Sequence, residues 1–196
     1  MFAASFLHDV NPTNLQLLGS QVQTLIFIDK FIEEVNLMQK NKSGMSLLDF
    51  LSAVYPTSFP NIDRAVMEAF TNINEDNRKA AINILHRSDK PEIINFLIAK
   101  GLDIDSPDKQ GQTALYRAVS TKNLGLVTYL VGKGANPSYG RTENDKAIKH
   151  RKLSPLELAK NEKITKENLV KNIPEAGDTK VEDQIISILE RGAKDF

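Results

Sequence analysis

The stretch from Asp108 to Asn136, DKQGQTALYRAVSTKNLGLVTYLVGKGAN, decides the fold. It holds two short segments of helical apolar spacing with turn residues around them. Thr113 stands where a hydroxyl can accept a bond from a free amide at the start of the first helix. Leu115, Leu124, Val127 and Leu130 form a stacking face, and Ala118 is small enough for two helices to approach closely. Asp108 and Gly111 suit a tight turn ahead of the first helix. Gly134 suits a left-handed helix terminus, where a side chain would clash.

Working outward, the pattern recurs. Gly101 precedes Gly134 by 33 residues, and Ile94, Leu97 and Ile98 match Val127, Leu130 and Val131. Downstream, Ser154-Pro155-Leu156-Glu157-Leu158-Ala159 repeats the Thr113 segment. Ile185, Ile188 and Leu189, followed by Arg191-Gly192-Ala193, repeat the second helix and its end. Upstream, Gly44-Met45-Ser46-Leu47-Leu48 repeats the start. The segment Glu75–Gly101 keeps the period, but Ala80, Ile82 and Leu85 take the places of Thr113, Leu115 and Ala118. Helices of a few turns are too short to be stable alone, so these units must stack on one another.

The succession D-x-x-G-x-T-A-L-Y-x-A, L-x-x-V-x-x-L and G-A resembles an ankyrin repeat. It departs from that family's pattern at Ala114 for the usual Pro, Tyr116 for the usual His, and Lys122 where a Gly ends the first helix. The resemblance implies an all-α, ankyrin-repeat solenoid of short helix–turn–helix units with hairpin loops. An N-terminal helical cap is expected over 1–40 and an array of about four units over 41–196. Its first and last units are degenerate, with insertions at 139–152 and 161–180. Terminal units are expected to be atypical because their outer face meets water. Alternatively, Met1–Asn74 is a separate helical bundle ahead of a shorter array.

Helices are expected over Leu15–Met38, Ser46–Val54, Ile62–Phe70, Arg78–His86 and Glu92–Lys100, with a turn at Asn41–Gly44. In the first, Leu25, Ile28, Ile32 and Val35 form the apolar stripe, joined by Phe31; Lys30, Glu33, Glu34 and Asn36 lie off it. The insertion Asn161–Lys180 reads as a short extra helix over the C-terminal end, broken by Pro174 and Gly177.

Composition narrows the chemistry. The 196 residues carry 25 basic and 25 acidic side chains and no cysteine, with 41% apolar and 26% charged residues. Zero cysteine removes disulfides, thiolate catalysis and cysteine-based zinc or iron–sulfur sites. A net charge of zero argues against general DNA binding or adhesion to an anionic membrane. The N-terminus lacks a basic n-region, so no secretory signal is expected. No apolar run approaches the ~20 residues of a membrane helix.

His8, His86 and His150 have no second histidine at ligand spacing, so no metal is expected, and no cofactor. His86 reads as a solvent-facing or capping residue. Gly132-Lys133-Gly134 ends a helix where a phosphate loop would begin one. Glu33-Glu34 and Glu75-Asp76 are neighbours whose side chains diverge by about 100° on a helix, poorly placed to share a proton. The first reads as a solvated face and the second as charge at a helix start.

The net zero hides an asymmetry. Residues 1–98 carry a net −3 and the remainder +3. The whole excess sits in one loop, where Arg141, Lys146, Lys149, Arg151 and Lys152 face Glu143 and Asp145. In an ankyrin array this loop is a lengthened hairpin finger, a basic contact for a partner with an acidic patch or else a solvated insertion. The resemblance also implies that Lys109, Gln110, Gln112, Arg117, Ser120 and Thr121 touch a partner. They occupy the hairpin and first-helix places where ankyrin proteins vary.

The expected function is a non-enzymatic protein–protein interaction module in the cytoplasm, its own cell's or a host's. Two rivals stay open. One is an enzymatic or ligand-binding N-terminal region, which a polar cleft lined by Asp29, Glu33, Glu34 or Asp49 would favour. The other is a nucleic-acid or phosphoinositide contact through the basic loop, with steep salt dependence.

Overall fold

A computed structural model describes residues 25–26, 28–30, 32, 36–40, 44–54, 59–139, 153–172 and 179–195. The chain is all-α. Residues 25–26 and 28–30 are helical, and the further helices among the described residues are α1 (Leu47–Val54), α2 (Pro60–Ala69), α3 (Glu75–Arg87), α4 (Pro91–Ala99), α5 (Ala114–Ser120), α6 (Leu124–Gly132), α7 (Pro155–Asn172) and α8 (Lys180–Gly192), with a 3-10 turn at Ala193–Asp195. Among the described residues the extended pairing is one isolated antiparallel bridge, Lys40 to Ser46; the turn expected at 41–44 lies mostly outside the described residues. The chain forms two compact units, Met1–Leu102 and Asp103–Phe196.

In the first unit α1 packs on α3, α2 on α4, and α3 on α4. Leu25, Ile28 and Ile32 are buried, as their stripe implies, and Asn36 is exposed. The helix expected to reach Met38 stops earlier: residues 36–39 are turn, with the Gln39 amide donating to the Asn36 carbonyl. Val35, Phe31, Glu33 and Glu34, like His8 and His150, lie outside the described residues. Asp29 does structural work here. Its Oδ1 accepts from the Ile62 amide at 3.0 Å, one of the free N–H groups opening α2, and its Oδ2 from Asn61 Nδ2 at 3.2 Å.

The first helices are capped by short polar side chains. Ser46 Oγ accepts from the Asp49 amide at 3.1 Å while the Asp49 carboxylate accepts from the Ser46 amide at 3.0 Å. Thr113 Oγ1 accepts from the Tyr116 amide at 3.1 Å. Ser154 Oγ accepts from the Glu157 amide, and Glu157 Oε2 from the Ser154 amide at 2.9 Å. Each such cap contributes about 1 kcal/mol.

A 33-residue offset carries α4 onto α6 at both ends and the end of α3, Arg87, onto that of α5, Ser120. The starts differ. With no Thr at Ala80 to begin a helix there, α3 begins at Glu75, where Asn74 accepts from the Asp76 and Asn77 amides and Asn77 Oδ1 accepts from the Asn74 amide. The segment at 80–85 is therefore mid-helix, and Ala80, Ala81, Ile84 and Leu85 are buried. His86 is buried too, contrary to its expected solvent-facing place: α3 packs against both α1 and α4, so its covered face is wide.

In the second unit α5 packs on α6 and α7, and α8 packs on both α6 and α7. Leu115, Val127 and Leu130 are fully buried and Ala118 is 1% exposed; Leu124, at the start of α6, is only half-buried. One expectation changes: the insertion does not begin with a separate helix, because α7 runs on unbroken to Asn172. Gly192 is the last residue of α8, as its place in the repeat implies, but unlike Gly134 (φ +87) it has no positive φ and leads into the 3-10 turn. Its need for glycine is proximity. A Cβ there would meet Val131 Cγ1 at 2.5 Å and Pro137 Cγ at 3.3 Å.

Candidate binding surface

The hairpin ahead of α5 is held by Asp108. Its amide donates to the Gln112 carbonyl at 2.8 Å, and its Oδ1 accepts from the Gln110 and Gln112 amides at 2.8 and 2.9 Å. The Gly111 amide donates to the Asp108 carbonyl, and Gly111 takes φ +73, a conformation other residues adopt at a cost. Gly44 likewise has φ +75, two residues before its own cap, Ser46. In this braced loop Lys109 and Gln110 are exposed and Gln112 is half-buried.

On α5, Arg117 is half-buried, and Ser120 and Thr121 are exposed. The two hydroxyls are partly committed: Ser120 Oγ donates to the Arg117 carbonyl at 2.8 Å and Thr121 Oγ1 to the same carbonyl at 3.0 Å. They retain acceptor capacity for a ligand. The structure thus places Lys109, Gln110, Gln112, Arg117, Ser120 and Thr121 on one hairpin–helix segment. Arg141, Lys146, Lys149, Arg151 and Lys152 lie outside the described residues. The segment leading to them is fixed: the Leu156 amide donates to the Pro137 carbonyl at 3.1 Å, and the Ser138 amide to Asn136 Oδ1 at 2.8 Å.

Lys122 stands where the repeat pattern has a glycine. It keeps the glycine's conformation, with φ +55, and its Nζ donates to Glu182 Oε1 at 2.5 Å. Glu182 is 2% exposed and also accepts from Lys166 Nζ at 3.3 Å. Burial pushes the Glu182 carboxyl up, but the bonds from Lys122, its own backbone and Lys166 outweigh this, and it ends below its ordinary value. The Lys122 amine is raised, first by that bond to Glu182. Beside them, burial raises the Glu162 carboxyl, with Lys122 opposing and Glu182 reinforcing the shift. Lys160 and Lys163 of α7 extend the row to Glu190 at 2.8 Å and Asp183 at 2.6 Å. Lys160, Lys163 and Lys166 stand three residues apart on α7, a local signal, but their partners lie on α8 and are set by the fold.

The acidic residues proposed for a rival cleft are otherwise engaged where described: Asp29 caps α2 and Asp49 caps α1. The described residues hold no cluster of three or more metal-ligating side chains. Nor does any helix among them run long and apolar enough to cross a membrane.

Stacked helix pairs joined by glycine-turned hairpins, with short polar caps on the first helices, define a repeat module. Residues 37–141 match the family model of ankyrin repeats in three copies, more than half of the chain. The chain belongs to the ankyrin repeat family, whose repeats are generally protein–protein interaction modules and typically not enzymes. It is 46% identical over 46 residues to an ankyrin repeat domain-containing chloroplast protein of Arabidopsis thaliana, covering 24% of this chain and 15% of that one. It is 25% identical over 120 residues to a putative ankyrin repeat protein of Acanthamoeba polyphaga mimivirus, covering 59% of this chain and 66% of that one. The chain therefore spans a small part of the plant relative and just under two thirds of the viral one. No solved structure matches.

Proposed function

We propose that the chain is a non-enzymatic adaptor or effector that captures a partner protein bearing an acidic patch. The contact set is Lys109, Gln110, Gln112, Arg117, Ser120 and Thr121 together with the basic residues Arg141, Lys146, Lys149, Arg151 and Lys152. The observation that carries this is the Asp108 hairpin, braced by four hydrogen bonds within the loop while Lys109 and Gln110 stay exposed. A rigid loop with exposed polar tips binds without a large ordering cost. Charge supports the acidic partner: the 141–152 loop carries the chain's whole local excess of +3. The working place is the cytoplasm, of its own cell or of a host; the host alternative draws on the viral relative.

The test is affinity purification with mass spectrometry, using the wild-type chain and a variant with Lys146, Lys149, Arg151 and Lys152 changed to Glu. Stability should stay within about 0.5 kcal/mol, as surface changes do, while capture of the leading partner falls. Undiminished capture removes the loop from the site.

A further inference from the structure

We propose that Asp105 is a proton-responsive clamp that joins two successive hairpins of the second unit. Asp105 lies in the hairpin before α5. Both of its carboxylate oxygens accept from the amide of Asn136, in the hairpin after α6, at 3.1 Å each. Asn136 is itself a hub. Its carbonyl accepts from the Tyr139 amide at 3.1 Å, and its side chain from the Ser138 amide. The next residue, Pro137, is buried, accepts from Leu156 of α7 and lies where a Cβ at Gly192 of α8 would come within 3.3 Å of it. One carboxylate thus ties the first hairpin to the foot of the second, at a point already fixed by two helices.

A carboxylate in this place behaves differently from a neutral amide. Burial raises the Asp105 carboxyl above its ordinary value; the Asn136 bond opposes this and the nearby Asp103 charge adds to it. Asp103 belongs to the same hairpin, and its Oδ1 accepts from the Asp105 amide at 2.9 Å. Among the described residues the facing segment Ala135–Tyr139 brings the Tyr139 phenol as its titratable side chain and no carboxylate or amine. Protonation converts one acceptor oxygen into a hydroxyl and removes the charge that draws the Asn136 amide, so the joint slackens. The sign for global stability is the opposite. A folded-state value above the unfolded one means stability that is present at low pH and is lost as pH rises through the folded value. Acidification therefore loosens the joint while relieving a buried charge. Its bearing on partner capture rests on the binding reading above; the clamp itself does not.

The experiment follows the Asn136 amide of the full 15N-labelled chain from neutral pH down through the carboxylate range, for the wild type and Asp105→Asn. Wild-type Asn136 should shift with a midpoint above the ordinary Asp value. Its hydrogen exchange, corrected for intrinsic pH dependence, should quicken several-fold across that midpoint. In Asp105→Asn both should stay flat, and wild type should gain thermal stability relative to the variant as pH falls. Should the variant not fold, the Asp105 carboxyl carbon of the wild type gives the same midpoint. An Asn136 amide that ignores pH, a midpoint at or below the ordinary value, or a wild type that loses stability relative to the variant on acidification overturns the proposal. A flat Asn136 with intact partner capture separates failure of the clamp from failure of the binding reading.

Discussion

Gly192→Ala tests the packing of the last helix pair against its neighbour. Inside a helix this exchange ordinarily stabilises by about 1 kcal/mol, because glycine gives up more backbone freedom than alanine. Here the new Cβ falls 2.5 Å from Val131 Cγ1 and 3.3 Å from Pro137 Cγ. Contacts that close force the valine or the helix to move, at a cost of about 1–3 kcal/mol. Gly132, the last residue of α6, is the control: it is exposed, with nothing within 4 Å of its Cβ position and no positive φ. Propensity largely cancels between the two substitutions. Gly192→Ala should therefore be less stable than Gly132→Ala by about 1–3 kcal/mol. The assay is urea unfolding followed by circular dichroism, comparing midpoints at constant slope. Adding Val131→Ala should recover part of the loss, because the two sites touch. Equal midpoints for the two alanine variants would refute the close approach of α8 to Val131.

Three further outcomes follow from the same structure. Leu115→Asp puts a charge at a fully buried stacking position and should cost more than about 4 kcal/mol; an unchanged thermal melt would mean the helix register is wrong. Lys122→Gly should be more stable than Lys122→Ala by about 1 kcal/mol, since both lose Glu182 and only glycine accepts φ +55 freely; equal denaturation midpoints would contradict that strain. The lowered Glu182 carboxyl contributes stability that is present above its unfolded value and lost as pH falls through its folded one. Acid titration of Glu182→Gln should accordingly show a shallower loss of melting temperature than wild type, and parallel curves would count against the Lys122–Glu182–Lys166 cluster.

The repeat was legible because its cues are local. A Thr or Ser cap, a glycine at φ > 0 and apolar residues at helical spacing act within a few positions, so Thr113, Gly111, Gly134 and Leu115 could be placed from sequence. Glycine carries two meanings, however, and sequence does not separate them. Gly134 needs its backbone angle, while Gly192 needs space beside Val131, a residue 61 positions earlier. The burial of His86 is unreadable for a similar reason, since it depends on α3 being flanked on two sides. The exposed hairpin tips were readable from their position in the repeat. The Asp105–Asn136 tie and the Lys122–Glu182 pair were not, because each joins groups 31 and 60 residues apart.

The proposed contact surface is the Asp108 hairpin with the α5 face. Its most direct test is the dissociation constant for the partner captured by the wild-type chain. It is measured for the wild type, for Lys109→Glu combined with Arg117→Glu, and for Thr128→Glu on the exposed side of α6. The double variant should bind roughly tenfold or more weakly, the scale of about 1.4 kcal/mol, with an unchanged melt, and Thr128→Glu should keep near wild-type affinity. Equal affinity of the double variant and wild type, or a loss confined to Thr128→Glu, would contradict that surface.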